Sequence, residues 1–405
     1  MKLTLKVKLY VTQDQHIVLD RMAFASTKLW NIANWERRQV WEGTGKIPNY
    51  YEQEAVLKNN PWHKRLPHHS AQAVLQKLDH SYRSWFKLRK TDQTARPPGF
   101  RPKESLSIIT FKESAFRVEG DKIRLTIPQK VKEELYYIES FLILPFQSYK
   151  SLEGKPKLIE VMYSGEAWFA HIVQEVQAPE LLPDTNAMGI DLGIVNMAAC
   201  VTEEGKAEII DGGQIASVWR YFNKQIGKIQ KRVMGRGKRW SEGLTEISKK
   251  RSIQTKHILH AATNRILEYA INENINTIVI GDLKNILKKK NGDSRNFGIA
   301  NQKLHSWNFN QFTQMLSYKA QRAGISVKKV SERNSSRTCS VCGIVDKKSR
   351  MHRGLYRCRH CGTELNADVN GARNILKTYL ESVSRPVVAE LAQPSVRKWN
   401  SQKFC

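Results

Sequence analysis

Two cysteine knuckles limit this chain more than any other feature. Cys339-Ser-Val-Cys342 and Cys358-Arg-His-Cys361 are separated by fifteen residues. Two C-x-x-C pairs at such a spacing bring four thiolates to one tetrahedral Zn²⁺. Only six cysteines exist, and the other two, Cys200 and Cys405, are isolated. Turn-like flanks and the basic insert Lys347-Lys348-Ser349-Arg350 suit a zinc ribbon. Four thiolates leave no open coordination position, so this zinc is expected to be structural, not catalytic. A pair of disulfides is the competing reading, and it needs an oxidising compartment. The opening MKLTLKVKLYV alternates Lys with apolar residues. It reads as an amphipathic strand, not a signal peptide, which favours a reducing cytosol. With four cysteines available, His360 in the second knuckle is expected to contact backbone or nucleic acid.

Charge narrows the partner. The 405 residues carry 66 Lys+Arg against 38 Asp+Glu, a formal +28. Self-repulsion of that size is most easily explained by a polyanion, nucleic acid before a ribosome or an anionic membrane. A hydrophobic content of 40% excludes a wholly disordered chain. No apolar run approaches the roughly 18–20 residues of a membrane-spanning helix, so no membrane partner is expected. Between Phe222 and Lys256 there are eleven Lys/Arg and two acidic residues. Salt bridges cannot satisfy so one-signed a stretch. Its Lys231, Arg232, Arg236, Lys238, Arg239, Lys249, Lys250 and Arg251 are therefore candidate phosphate contacts.

The pattern of elements predicts an α+β multidomain chain. Thr12 and Gln15 form a capping-box pattern ahead of Leu19, Met22, Leu29, Trp30 and Ala33 at helical spacing. A second helix is predicted from about Ser70 to Leu88, burying Val74, Leu75, Leu78, Tyr82 and Trp85. Its polar face would carry Gln72, Gln76, Lys77 and Arg83. Beyond the Pro/Gly-rich stretch Ala95–Pro102, short alternating segments read as strands over 107–111, 115–118, 122–127, 158–163 and 168–173. Past a second linker, Ala178–Pro183, a meander of three strands (188–195, 197–202, 207–210) is followed by helices. The short apolar strand Thr277–Ile280 is expected to be covered on both faces. A helix over 309–323, a strand over 325–330 and a late helix near 366–379 complete a mixed sheet.

Carboxylates near element ends carry the candidate chemistry. Asp191 lies in Gly-Ile-Asp-Leu-Gly, and an ionised Asp in such an apolar strand needs a cationic partner. Asp368 lies in Asn366-Ala-Asp-Val-Asn370, at a helix start. Carboxylates gathered from separate elements favour Mg²⁺, or Mn²⁺, which retains waters and phosphate oxygens.

Taken together, GIDLG, IVIGDLKNI, TCSVCG, YRCRHCG and NADVNGARNIL, in that order, resemble the TnpB family of transposon-encoded RNA-guided DNA nucleases. These are relatives of the compact type V CRISPR effectors. The resemblance implies a wedge-like β-barrel (1–12 and 96–180) holding a helical recognition domain (13–95). It implies a RuvC-like nuclease domain of RNase H fold (184–336 and 364–380), with an inserted zinc ribbon (337–363). The tail, 381–405, has no readable role and a composition that allows disorder. It further implies a monomer on one guide RNA, a double-stranded DNA target, metal-dependent hydrolysis and a cytoplasmic, nucleoid-associated location in a prokaryote. Gln72 and Gln76, four apart on one helix, become candidate readers of a target-adjacent motif, with Lys77 beside them and Tyr51 stacking nearby. Lys347, Lys348, Arg350 and Arg353 would guide single strands toward the acids.

One departure stands out. The family usually places a catalytic Glu at the end of the strand written here Thr277-Ile-Val-Ile-Gly281. Asp282 follows, but one step along a strand reverses the side chain's face. The next strand ends Val330-Ser-Glu332, where the family commonly has Pro. Neighbouring strands lie roughly 4.8 Å apart, so the Glu332 carboxylate can reach the vacated place. The expected triad is Asp191, Glu332 and Asp368. The alternative is loss of the catalyst, leaving a guide-dependent DNA-binding repressor.

Overall fold

The computed structural model describes residues 1–282, 309–352, 354–386 and 391–405. Leu283–Ile286 of the strand-end motif, and Arg353 beside the ribbon, lie outside the described residues. The chain forms two compact units, Met1–Gln177 and Ala178–Cys405.

The first unit contains β1 (Lys2–Leu9), α1 (Gln13–Thr44), α2 (Tyr50–Leu57), α3 (Pro61–Lys64) and α4 (His68–Arg89). Then follow β2 (Ile109–Lys112), β3 (Phe116–Glu119), β4 (Lys122–Thr126), α5 (Gln129–Leu135), β5 (Phe141–Gln147), β6 (Lys155–Tyr163) and β7 (Trp168–Glu175). The strands make a seven-stranded antiparallel, near-barrel sheet in the order β2-β6-β7-β1-β5-β4-β3. Both halves of the capping box form: the Gln15 amide donates to Thr12 Oγ1 (3.3 Å) and the Thr12 amide to Gln15 Oε1 (3.1 Å). α1 ends where Gly45 takes the left-handed φ of 69°. The apolar faces of α1 and α4 and the inner face of the sheet share one core, with Leu19, Met22, Leu75, Leu78, Phe111 and Ile159 fully buried.

That core also holds an ion. Arg37, 1% exposed, donates to Gln53 (2.6 Å) and to Asp79 (3.2 Å), and Arg83 pairs with Asp79 from the rim (2.7 Å). Removing one partner of a buried pair strands the other charge. Asp79→Ala is expected to cost about 3 kcal/mol, measured by urea unfolding.

The second unit contains β8 (Ala187–Asp191), β9 (Asn196–Thr202), β10 (Ala207–Asp211), α6 (Gly213–Gly235), α7 (Glu242–Asn272) and β11 (Thr277–Gly281). It continues with α8 (Phe309–Arg322), β12 (Ser326–Val330), β13 (Arg350–His352), β14 (Leu355–Arg357), β15 (Glu364–Leu365) and α9 (Ala367–Ser382). β16 (Ser395–Arg397), β17 (Trp399–Asn400) and β18 (Lys403–Phe404) end the chain. The main sheet runs β12-β11-β8-β9-β10-β16. β12, β11 and β8 are mutually parallel, and β9 is antiparallel to both its neighbours. β11 is buried throughout: Ile278 and Ile280 join the core under α7 and α8, while Val279 faces α9.

The tail corrects the sequence reading. Among its described residues, Ser395–Arg397 pair in parallel with β10, and Phe404 is buried in the main core. Arg397 Nε donates to the buried Glu208 (2.8 Å), which Arg265 also grips (2.8 Å).

Candidate active site

Two glycines bring the first and last acids together. A β-carbon at Gly189 on β8 would lie 2.4 Å from the Ala372 carbonyl oxygen and 2.7 Å from Leu376 Cβ of α9. One at Gly371 would lie 2.5 Å from Asp191 Oδ2. Only bare backbones approach so closely. α9 therefore rests directly on β8, with Asp368 in its first turn and Asp191 at the strand end. Asn366 caps the helix, accepting from the amides of Asp368 (2.9 Å) and Val369 (3.3 Å). Asp368 itself accepts from Asn196 Nδ2 (2.8 Å) and from Arg350 of the ribbon (3.2 Å). The Gly-x-Asp and Asn-Gly spacings carried this packing signal, and the sequence reading did not use it.

The third acid arrives across a strand pair. Gly281 of β11 stands opposite Val330 of β12, and the Asp282 amide donates to the Val330 carbonyl (2.8 Å). Glu332, two residues on, lies over Gly281. A β-carbon at Gly281 would meet Glu332 Oε2 at 2.7 Å and Glu332 Cβ at 3.1 Å.

Burial, then the Asp368 charge, then the Glu332 charge push Asp191 up to about 8, against a weaker pull from Arg350. Burial and Asp282 raise Glu332. The three carboxylates do not form a set with all ligand atoms within 4.8 Å among the described residues. Hard oxygen donors that repel one another fit a hard divalent cation, Mg²⁺ or Mn²⁺. Because folding raises Asp191 above its ordinary value, the ionised group opposes folding when no metal is bound. The penalty is absent below about pH 4 and complete above about pH 8. Asp191→Asn should therefore stabilise the Mg²⁺-free protein by about 1 kcal/mol or more at high pH. Thermal melts should show the gain shrinking toward pH 4.

The four knuckle cysteines place their sulfurs within 4.8 Å of one another. Cys339–Cys361 and Cys342–Cys358 are 3.7 and 3.6 Å apart. A tetrahedron of thiolates about 2.3 Å from Zn²⁺ has edges of about 3.8 Å, so the cluster fits zinc. The module docks on α9 through two asparagines. Asn370 accepts from the Ser340 amide (2.9 Å) and donates to the Thr338 carbonyl (2.9 Å). Asn374 donates to the Ser335 (2.8 Å) and Thr338 (2.7 Å) carbonyls.

The basic residues divide. Lys231, Arg232, Arg236, Lys238 and Arg239 are exposed where α6 turns into α7, beside Trp240, which is 62% exposed. Lys249 is exposed on α7. Lys250 pairs with Glu246 (2.7 Å), and Arg251 donates to Asn223 (2.8 Å). In the first unit Tyr51 is 79% exposed, whereas Gln72 and Gln76 are half-buried. Gln76 accepts from Lys112 (2.9 Å). Lys77 is tied to Glu160 (2.7 Å) and Thr110 (3.0 Å) of the sheet. A phosphate at Lys77 would compete with that pair, which lies 83 residues apart in sequence and was not foreseen.

Residues 309–375 match a family described as "Cas12f1-like, TNB domain", and residues 171–287 match OrfB_IS605, described as "Probable transposase". The chain is 26% identical over 420 aligned positions to "TnpB-like protein ORF457" of Acidianus two-tailed virus, covering 92% of this chain and 85% of that protein. It is 29% identical to "CRISPR-associated endodeoxyribonuclease Cas12f1" of Sulfoacidibacillus thermotolerans, over 51% of this chain and 49% of that one. The fold is shared with a Cas12f1 chain solved by cryo-EM as a "Cas12f1-sgRNA-target DNA complex". The TM-score is 0.63 at 15% identity, over 93% of this chain and 98% of that one.

Proposed function

The chain belongs to the TnpB/OrfB family, related to the compact Cas12f effectors, and from that premise we propose an RNA-guided DNA endonuclease with a relocated glutamate. The cutting site is Asp191, Glu332 and Asp368 in a RuvC-like domain of RNase H type. The observation that carries this reading is Glu332 lying over Gly281, where a β-carbon would sit 2.7 Å from its carboxylate.

The three acids would hold Mg²⁺ or Mn²⁺, which supplies an activated water and stabilises the leaving 3′ oxygen, giving 5′-phosphate and 3′-hydroxyl ends. The protein's own groups set the stage. Asn196 orients Asp368, and Asp191 gives up its proton as the site loads. Arg350 lies 3.2 Å from Asp368 and is a counter-charge until then. A guide RNA pairs with one target strand while the protein grips backbone. The exposed cations from Lys231 to Arg239, with Lys249, Lys250 and Arg251, are the phosphate contacts. Gln72 and Gln76 read the target-adjacent motif, with Tyr51 and Lys77 alongside. A monomer on one guide RNA is the working unit.

One observation favours the repressor alternative: Gly281 leaves the usual strand-end position without an acid. Reconstitution with the co-purifying RNA, Mg²⁺ and a matching duplex separates the two. Cut ends bearing 5′-phosphate support the nuclease. Tight, guide-dependent binding with intact DNA at every Mg²⁺ and Mn²⁺ level overturns it in favour of the repressor.

A further inference from the structure

A second group of ligand-type side chains lies in the first unit and takes no part in the proposed cutting. Glu54 of α2, His63 of α3 and His68, the first residue of α4, each place a ligand atom within 4.8 Å of the others. Local sequence puts them there. Asn49 and Asn60 cap α2 and α3, the latter by accepting from the Trp62 amide (2.9 Å), and Pro67 stops α3 from running into α4. Three helix segments therefore meet within a span of fifteen residues, 54–68.

Two details do not suit an ordinary ion pair. His63, 3% exposed, has Nε2 at 3.3 Å from Glu54 Oε1. Charge-assisted bonds of this kind are usually about 2.7–2.9 Å. Nitrogen and oxygen ligands about 2.0 Å from a tetrahedral ion stand about 3.3 Å apart. Second, Glu54 Oε2 is buried and has no hydrogen-bond partner among the described residues. A buried acceptor left unmet costs about 1–3 kcal/mol and calls for an explanation.

We propose that Glu54, His63 and His68 form a second metal site, for a borderline divalent ion of the Zn²⁺ class, with a fourth position open to water beside the exposed His68. Two imidazoles and one carboxylate select such an ion over Mg²⁺. Its binding fastens α2, α3 and the start of α4 to one point. The Gln72 amide lies 3.0 Å from His68 Nε2, so the clamp acts on the helix that carries Gln72 and Gln76. The metal site stands independently of the nuclease reading.

The test is the zinc content of the full chain with its ribbon zinc retained, after exposure to one excess equivalent of Zn²⁺ and desalting. Two ions per chain are expected. His68→Ala, at an exposed position, and Glu54→Gln should each leave one. Cys342→Ser should lose the other ion and keep this one. Competition with a chromogenic chelator should show at least a tenfold weaker second zinc in His68→Ala. A single ion in the unaltered chain, or a second ion held as tightly by His68→Ala, overturns the site and leaves a plain His–Glu pair.

Discussion

Glu332→Gln should lower guide-dependent cutting by about a thousandfold or more, while guide and target binding stay within a few-fold. That loss is about 4 kcal/mol of barrier, as expected when one ligand of a charge-stabilising site becomes neutral. Asp282→Asn, one residue beyond Gly281, removes a charge that raises Glu332 but no proposed ligand, and should cut within a few-fold of the parent. The geometry allows a stricter test. A β-carbon at 281 would collide with Glu332 Oε2 at 2.7 Å, so Gly281→Ala alone should displace the carboxylate and impair cutting. Gly281→Glu combined with Glu332→Ser should restore it, because either strand end can deliver an acid to the same point. Cleavage rates under single turnover decide the matter. Equal losses in Glu332→Gln and Asp282→Asn, with no rescue by the swap, would refute the relocation.

Removing the ribbon zinc should have the second largest effect. Structural Zn²⁺ contributes about 10–16 kcal/mol to small modules of this kind, far more than three short strands can replace. Without it, the Asn370 and Asn374 bonds to Ser335, Thr338 and Ser340 lose their partners, and Arg350 is no longer held near Asp368. Cutting is expected to stop while guide RNA remains bound, since the exposed cations of α6 and α7 lie elsewhere in the chain. The check is Cys339→Ser beside the parent, both in Mg²⁺, with cleavage and guide-RNA gel shift read on the same samples. Normal cutting by a zinc-free variant would show that the ribbon plays no part in the reaction.

The local features were the legible part, because they depend on spacing within short segments. Cys339 to Cys361, the Thr12–Gln15 cap and the all-apolar β11 could each be read from a few adjacent residues. That Glu332 comes to lie over Gly281 could be read from two strands known to be neighbours. What escaped was non-local, or hid its period. β5, Phe141–Gln147, was not anticipated: Leu142, Leu144 and Phe146 point inward, but Phe141 and Ile143 on the outer face are also apolar. Arg124, packed 4.4 Å over the Phe141 ring, covers part of that face. β16 is three residues long with two exposed, and its partner lies nearly two hundred residues earlier. Lys77 looked solvated until folding brought Glu160 to it.

The way β16 edges the second unit's main sheet and Phe404 fills its core matters for anyone attaching cargo to this protein. An enzyme or fluorophore joined directly after Cys405 would hang one residue beyond a ring that is 4% exposed. Tension on that junction would first pull Cys405 from its backbone pairing with Lys398 and Phe404 from the core. A tether there needs slack.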